Sequence, residues 1–254
     1  MAKKYAFLFP GQGAQAPGMI KDVAEAFPSA KKVIDDVSSI INVDMAKLMS
    51  YNPSKLLKLG KGEISEEHLL AMEENSCPSA GSCQGMYTAN TMACLTEVLG
   101  MTLPYCSSAS AVSAQKRRIA FDSGVQIVNL VKKDIKPKDI ITKESMLNMI
   151  KVSLAIGGST NTFLHTLAIA NVAGIDITLN DFDSLSREIH QIVKINPSSS
   201  LTMTDFHQAG GIPAVLKSLY EPAKLNNTKT VSELTIKEIS NSAYADETII
   251  PKYD

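Results

Sequence analysis

Two helical patterns meet at five residues, Gly157, Gly158, Ser159, Thr160 and Asn161, and this junction constrains the fold more than any other stretch of the 254-residue chain. Apolar side chains recur at helical intervals over 143–156 and again over 160–173, and Gly174 closes the second run. Two adjacent glycines permit a tight interhelical turn, after which Ser159 or Thr160 caps the next helix. The same residues have a functional reading. Glycines followed by hydroxyls at a helix start offer amides and hydroxyls to a carboxylate or phosphate, so Gly157, Gly158, Ser159 and Thr160 are candidate substrate-binding residues. On the residues alone, the turn is the more economical reading.

A third helical pattern covers 84–99 and stops at Gly100. Cys83 stands immediately before it, between Ser82 and Gln84, and is expected at the positive end of that helix. Unpaired amides and the macrodipole favour a thiolate there, while Gly85 leaves room for a bulky group to approach the backbone. Cys94 falls on the apolar stripe of the same run and reads as a small core hydrophobe. The chain has four cysteines, Cys77, Cys83, Cys94 and Cys106, spaced C-x5-C-x10-C-x11-C. That spacing matches neither a paired C-x2-C zinc motif nor a ferredoxin run.

The formal net charge is -1, with 44% apolar and 20% charged residues, and no long basic block. Such a balance gives no electrostatic reason to expect nucleic acid or a membrane surface as a partner. The opening residues lack the apolar core of a signal peptide and no apolar run reaches about 18 residues, so a cytoplasmic location is expected. Lys116, Arg117 and Arg118 read as a solvated helix face, and Asp181 and Asp183 as helix-start residues. His165 and His207 read as packed or solvated, since no H-x3-H pair and no G-x-S-x-G elbow accompanies them.

The run CPSAGSCQGMYTANTMACLTEVLGMTLP resembles the dihydroxy-acid dehydratase family, and the likeness continues through SAQKRRIAFDSG, DIITKESMLNMI, AIGGSTNTFLHTLAIANVAGID, LNDFDSLSR and MTDFHQAGGIPAVLKSL. The resemblance implies a hydro-lyase that converts 2,3-dihydroxy carboxylic acids to 2-keto acids in branched-chain amino-acid synthesis, on an iron-sulfur cluster of 2Fe-2S rather than 4Fe-4S type. It carries one cluster ligand over to Cys83, and to none of the other three cysteines. The family builds a Mg2+ site on a C-D-K motif and places a catalytic serine in D-G-R-F-S-G; neither motif occurs in these 254 residues. By that reading the chain is an incomplete segment, inactive alone, whose partners are a small dihydroxy acid and either further copies or a complementing chain.

The first residues, KYAFLFPGQGAQAPGM, read as a strand over 6–9, a proline-glycine loop and a helix over 19–27. To about residue 48 they resemble malonyl-CoA:acyl-carrier-protein transacylase, which implies an oxyanion-hole role for Gln12. That family's G-H-S-L-G elbow is absent, so Gln12 has no nucleophile to assist. The expected organisation is a transacylase-like segment over 1–52 and a dehydratase-like segment over 53–254. The expected fold class is helix-rich α/β, with strands at 6–9 and 175–179 and some apolar surface left uncovered. A transacylase-related chain and a non-catalytic remnant stay open as alternatives.

Overall fold

The computed structural model describes residues 62–74 and 80–253, together with helical positions 25, 28, 31, 32, 35, 36 and 39. The expected strand at 6–9 and Gln12 lie outside the described residues. The chain divides into two compact units, Met1–Ser79 and Ala80–Asp254. In the first, helix α1 (Glu66–Glu74) opens with Glu66 and Glu67 in its first turn, where carboxylates complement the helix dipole. Ser65 Oγ caps it by accepting from the His68 amide at 3.1 Å.

The second unit holds α2 (Thr88–Val98), α3 (Ala114–Lys132), a short 3-10 turn (Pro137–Asp139), α4 (Lys143–Ala155), α5 (Thr162–Ala173), α6 (Leu179–Ser186), α7 (Met203–Gln208), α8 (Gly211–Leu219) and α9 (Ile236–Ser242). One signal recurs at their starts. Thr142, Thr178, Thr202 and Thr235 each stand before a helix, with Ser145, Asp181, Asp205 and Glu238 three residues on, and the two side chains reciprocally satisfy the end amides. Asp181 therefore does the helix-start work expected of it, its carboxyl held below the usual range by the Thr178 amide. Asp183 instead pairs on the surface with Arg187 at 2.9 Å.

Helix α4 is the centre of the unit, packing against α2, α5, α6 and α8. Met146, Met149, Ile150 and Val152 are wholly buried there, beside Leu95 and Val98 of α2 and Val215 and Leu216 of α8. Each such side chain contributes about 1.5–3 kcal/mol by leaving water. Asn148, also wholly buried, is admitted because it accepts from the Asn226 amide and donates to the Asn226 carbonyl, both at 2.8 Å.

The expected strand at 175–179 is not formed. Among the described residues there is no strand, only an isolated antiparallel bridge between Lys229 and Thr235. Thr178 and Asp181 close a capping box, so Leu179 becomes the first residue of α6. Among the described residues the β-branched run before it has no partner backbone to pair with, and local capping decides its end. The described part is thus helical; the α/β expectation goes beyond it. Among the described residues no helix is long and apolar enough to cross a membrane.

Candidate functional site

Asn90, in the first turn of α2, organises the cysteine-bearing loop. Its side-chain amide donates to the Cys83 carbonyl at 2.7 Å and the Gly85 carbonyl at 2.6 Å, while its oxygen accepts from Ser82 Oγ at 2.6 Å. Asn90 is only 3% exposed, so these bonds form away from competing water. A second segment braces the loop from the other side: the Met86 amide donates to Asn196 O at 2.7 Å and the Met203 amide to Gln84 O at 2.8 Å.

Those bonds correct the expected position of Cys83. Helix α2 begins at Thr88, with Tyr87 as its N-cap, so Cys83 lies in the loop ahead of the helix rather than at its end. The physical reason is that the Gln84 carbonyl and the Met86 amide are committed to the 196–203 segment and do not enter a helical ladder. Gly85 makes this close approach possible, since a Cβ there would stand 2.7 Å from Asn196 O. The thiol itself is exposed, and its sulfur is 3.8 Å from the Gly85 carbonyl.

Residues 157–161 join α4 to α5 and rest on the same first turn of α2. Ser159 Oγ is 3.0 Å from Thr88 Oγ1, Asn161 Nδ2 donates to Thr88 Oγ1 at 2.8 Å, and the Ser159 amide donates to Thr91 Oγ1 at 3.1 Å. Gly157 adopts a left-handed φ of 61°, which turns the chain out of α4. Gly158 lets the turn approach α2, since a Cβ there would lie 2.8 Å from Thr91 Cγ2. The Gly158 amide returns to Ser153 O at 2.9 Å and the Asn161 amide bonds Ser159 Oγ at 3.3 Å. Thr160 is exposed. The fold thereby brings the Cys83 loop and the glycine turn onto successive residues of one helix start.

The other cysteines are placed differently. Cys94 is fully buried and its thiol is pushed up to about 12 by burial and the nearby Glu97, which makes it the inert core residue expected. Cys106 is half-buried, 3.7 Å from Lys116 Nζ, and Cys77 lies outside the described residues. Lys116 also donates to the Cys106 carbonyl, so it is tied down rather than solvated; Arg117 and Arg118 are exposed. His207 is packed, with Ser108 Oγ at 2.9 Å from Nδ1 and Gln115 Oε1 at 3.0 Å from Nε2. His165 is exposed.

No motif in the sequence marks Asn90, Thr88, Thr91 or the 196–203 segment as part of the site. One signal was available for Asn90: it lies four residues before Cys94 on the buried face of α2, where a polar residue must find partners.

A family model described as "Dihydroxy-acid/6-phosphogluconate dehydratase N-terminal" matches residues 37–239. The chain belongs to that dehydratase family. Among curated relatives, the dihydroxy-acid dehydratase of Methanococcus maripaludis strain C5 is 54% identical over 195 residues, covering 76% of this chain and 35% of the relative. That of Thermodesulfovibrio yellowstonii is 53% identical over 194 residues, 76% of this chain and 35% of the relative. That of Pelobacter propionicus is 50% identical over 190 residues, covering 74% and 34%. The chain thus spans about a third of the length of these dehydratases. The match from residue 37 takes in residues that the sequence reading gave to the transacylase-like segment; the likeness supported by these matches is to the dehydratases.

An iron-sulfur cluster is what the resemblance implies, and the described residues do not fit one by themselves. Among the described residues no group of three or more His, Cys, Asp or Glu side chains is gathered as a metal site. They offer one exposed thiol, that of Cys83, with Cys94 sealed in the core.

Proposed function

We propose that the chain is a segment of a dihydroxy-acid dehydratase, a hydro-lyase that removes water from a 2,3-dihydroxy carboxylic acid. The C2 proton and the C3 hydroxyl leave, and the resulting enol tautomerises to a 2-keto acid. In this reading Cys83 contributes one ligand to an iron-sulfur cluster whose other donors come from polypeptide outside the described residues. Gly157, Gly158, Ser159 and Thr160 form the wall against which the substrate lies. The described residues offer a single exposed thiol, and in this reading the chain by itself is inactive.

The observation that carries this reading is the Asn90 clasp: three short hydrogen bonds, at 2.6 and 2.7 Å, fix a loop whose cysteine is left exposed. A buried polar network of this kind specifies one conformation, which a metal ligand needs and a surface loop does not. The test is anaerobic reconstitution with iron and sulfide. It uses the M. maripaludis relative rebuilt with this chain's residues across the matched stretch. Cys83→Ser is expected to lose bound iron and the cluster's visible absorbance, whereas Cys94→Ser keeps both. Equal iron in the Cys83→Ser protein removes the cysteine from the cluster.

A further inference from the structure

Helix α3 turns an apolar face outward. Phe121, Val125, Val128 and Val131 are 74, 51, 50 and 72% exposed and recur at helical spacing, so they form one stripe on the side away from the buried Ile119 and Leu130. Gly124 sits in the middle of that stripe, and a Cβ there would meet nothing within 4 Å. Glycine is a poor choice inside a helix, and among the described residues nothing packs into the space this one leaves. It leaves a notch between Phe121 and Val128 that admits a side chain from outside. Basic residues bound the stripe at both ends, Arg117 and Arg118 on one and Lys132 on the other, all exposed.

We infer that this face is a docking surface for the part of the dehydratase polypeptide lying outside the matched stretch, through an apolar knob flanked by carboxylates. The inference rests on the dehydratase reading above. Two observations choose the occupant. The matched stretch is 35% of the M. maripaludis relative, so most of a dehydratase is available to cover it. The stripe is basic at both ends, so pairing two copies of α3, parallel or antiparallel, sets cation against cation; an acidic-flanked partner is favoured instead. Exposed apolar surface rimmed by charge is what an uncovered interface looks like.

The test is a cysteine placed on the stripe, Val128→Cys, and its rate of maleimide labelling, located by peptide mass spectrometry. It is read in the 254-residue chain and in the M. maripaludis dehydratase carrying this chain's residues across the matched stretch. The expected result is free labelling in the short chain and labelling slowed by about tenfold or more in the long one, the protection conferred by a closed contact. Reversing the flanking charges, Arg118→Glu with Lys132→Glu, restores labelling in the long chain, as does Gly124→Leu, which fills the notch. Equal rates in the two proteins overturn the inference, and so does protection of the short chain that fades on dilution, because a second copy is then the cover. If the long chain does not fold, a cysteine at the corresponding position of the unaltered relative gives the same readout. Bound iron in the same samples reports separately on the proposed function: protection without iron leaves the docking face and removes the cluster reading, and iron without protection does the reverse.

Discussion

Helices α3 and α4 are both rich in apolar residues, yet the fold uses them in opposite ways. Of 13 residues in α4, 8 are buried; of 19 in α3, only Ile119 and Leu130 are. Among the described residues four other helices pack against α4, while α3 is held by tethers from loops. Gln126 donates to the Val231 carbonyl at 2.7 Å, and Lys133 pairs with Glu233. Between α3 and the rest of the unit lies an apolar cleft of about 320 Å³, lined by Met101, Leu103, Ile127, Leu130 and Ile140. Apolar content alone does not place a helix in a core. What decides is whether its stripe meets other stripes, and among the described residues the α3 stripe stays exposed.

The comparison predicts a steep difference in mutational cost. Met149→Ala on α4 removes a wholly buried side chain and is expected to destabilise the chain by about 2–5 kcal/mol in chemical denaturation. Val128→Ser on α3 is expected to change stability by no more than about 0.5 kcal/mol. Similar costs at the two sites would mean that α3 is part of the core after all.

The helix start that carries the site comes next. Asn90→Ala leaves the Cys83 and Gly85 carbonyls without their donor and is expected to cost about 1–3 kcal/mol. Asn90→Asp, similar in size but lacking both donors, should fall with alanine rather than with wild type, measured by thermal melting and by limited proteolysis of the loop. Gly124→Ala on α3 points the other way. Because the added methyl meets nothing, the isolated chain should gain about 0.8–1 kcal/mol of stability. A loss would show that something already occupies the notch.

The smallest effect is a slope in pH. Burial raises the Glu97 carboxyl above its ordinary value of 4.5, against hydrogen bonds from the Ser107 hydroxyl and the Ser107 and Tyr105 amides that oppose the shift. The folded chain therefore holds this proton more tightly than the unfolded one. Its contribution to stability is complete below pH 4.5 and is lost as pH rises through the raised folded value. Stability should decline over that window, and Glu97→Gln, which cannot ionise, should flatten the decline when denaturation midpoints are compared across pH.

Much of the helical skeleton was legible in the residues. Gly100 and Gly174 end their helices with left-handed φ of 84° and 70°, as their positions imply, and the burial of Cys94 followed from the apolar period of its run. The Cys83 loop was not legible. Its departure from helix depends on Asn196 and Met203, more than a hundred residues away, and no local pattern announces a backbone hydrogen bond to so distant a segment. The expected strand at 175–179 failed for a related reason: β-branched residues specify a strand only when another backbone is there to pair with.

Sequence by itself determined where α4 begins, where α2, α4 and α5 end, and which family the chain resembles, because caps, glycines and apolar spacing act over a few residues and carry their own hydrogen-bond partners. Tertiary structure alone decided that the Cys83 loop and the glycine turn share one helix start, and that α3 turns its apolar stripe to the outside. Both depend on which distant surfaces meet, and the free energy of burial belongs to the pair of surfaces rather than to either segment.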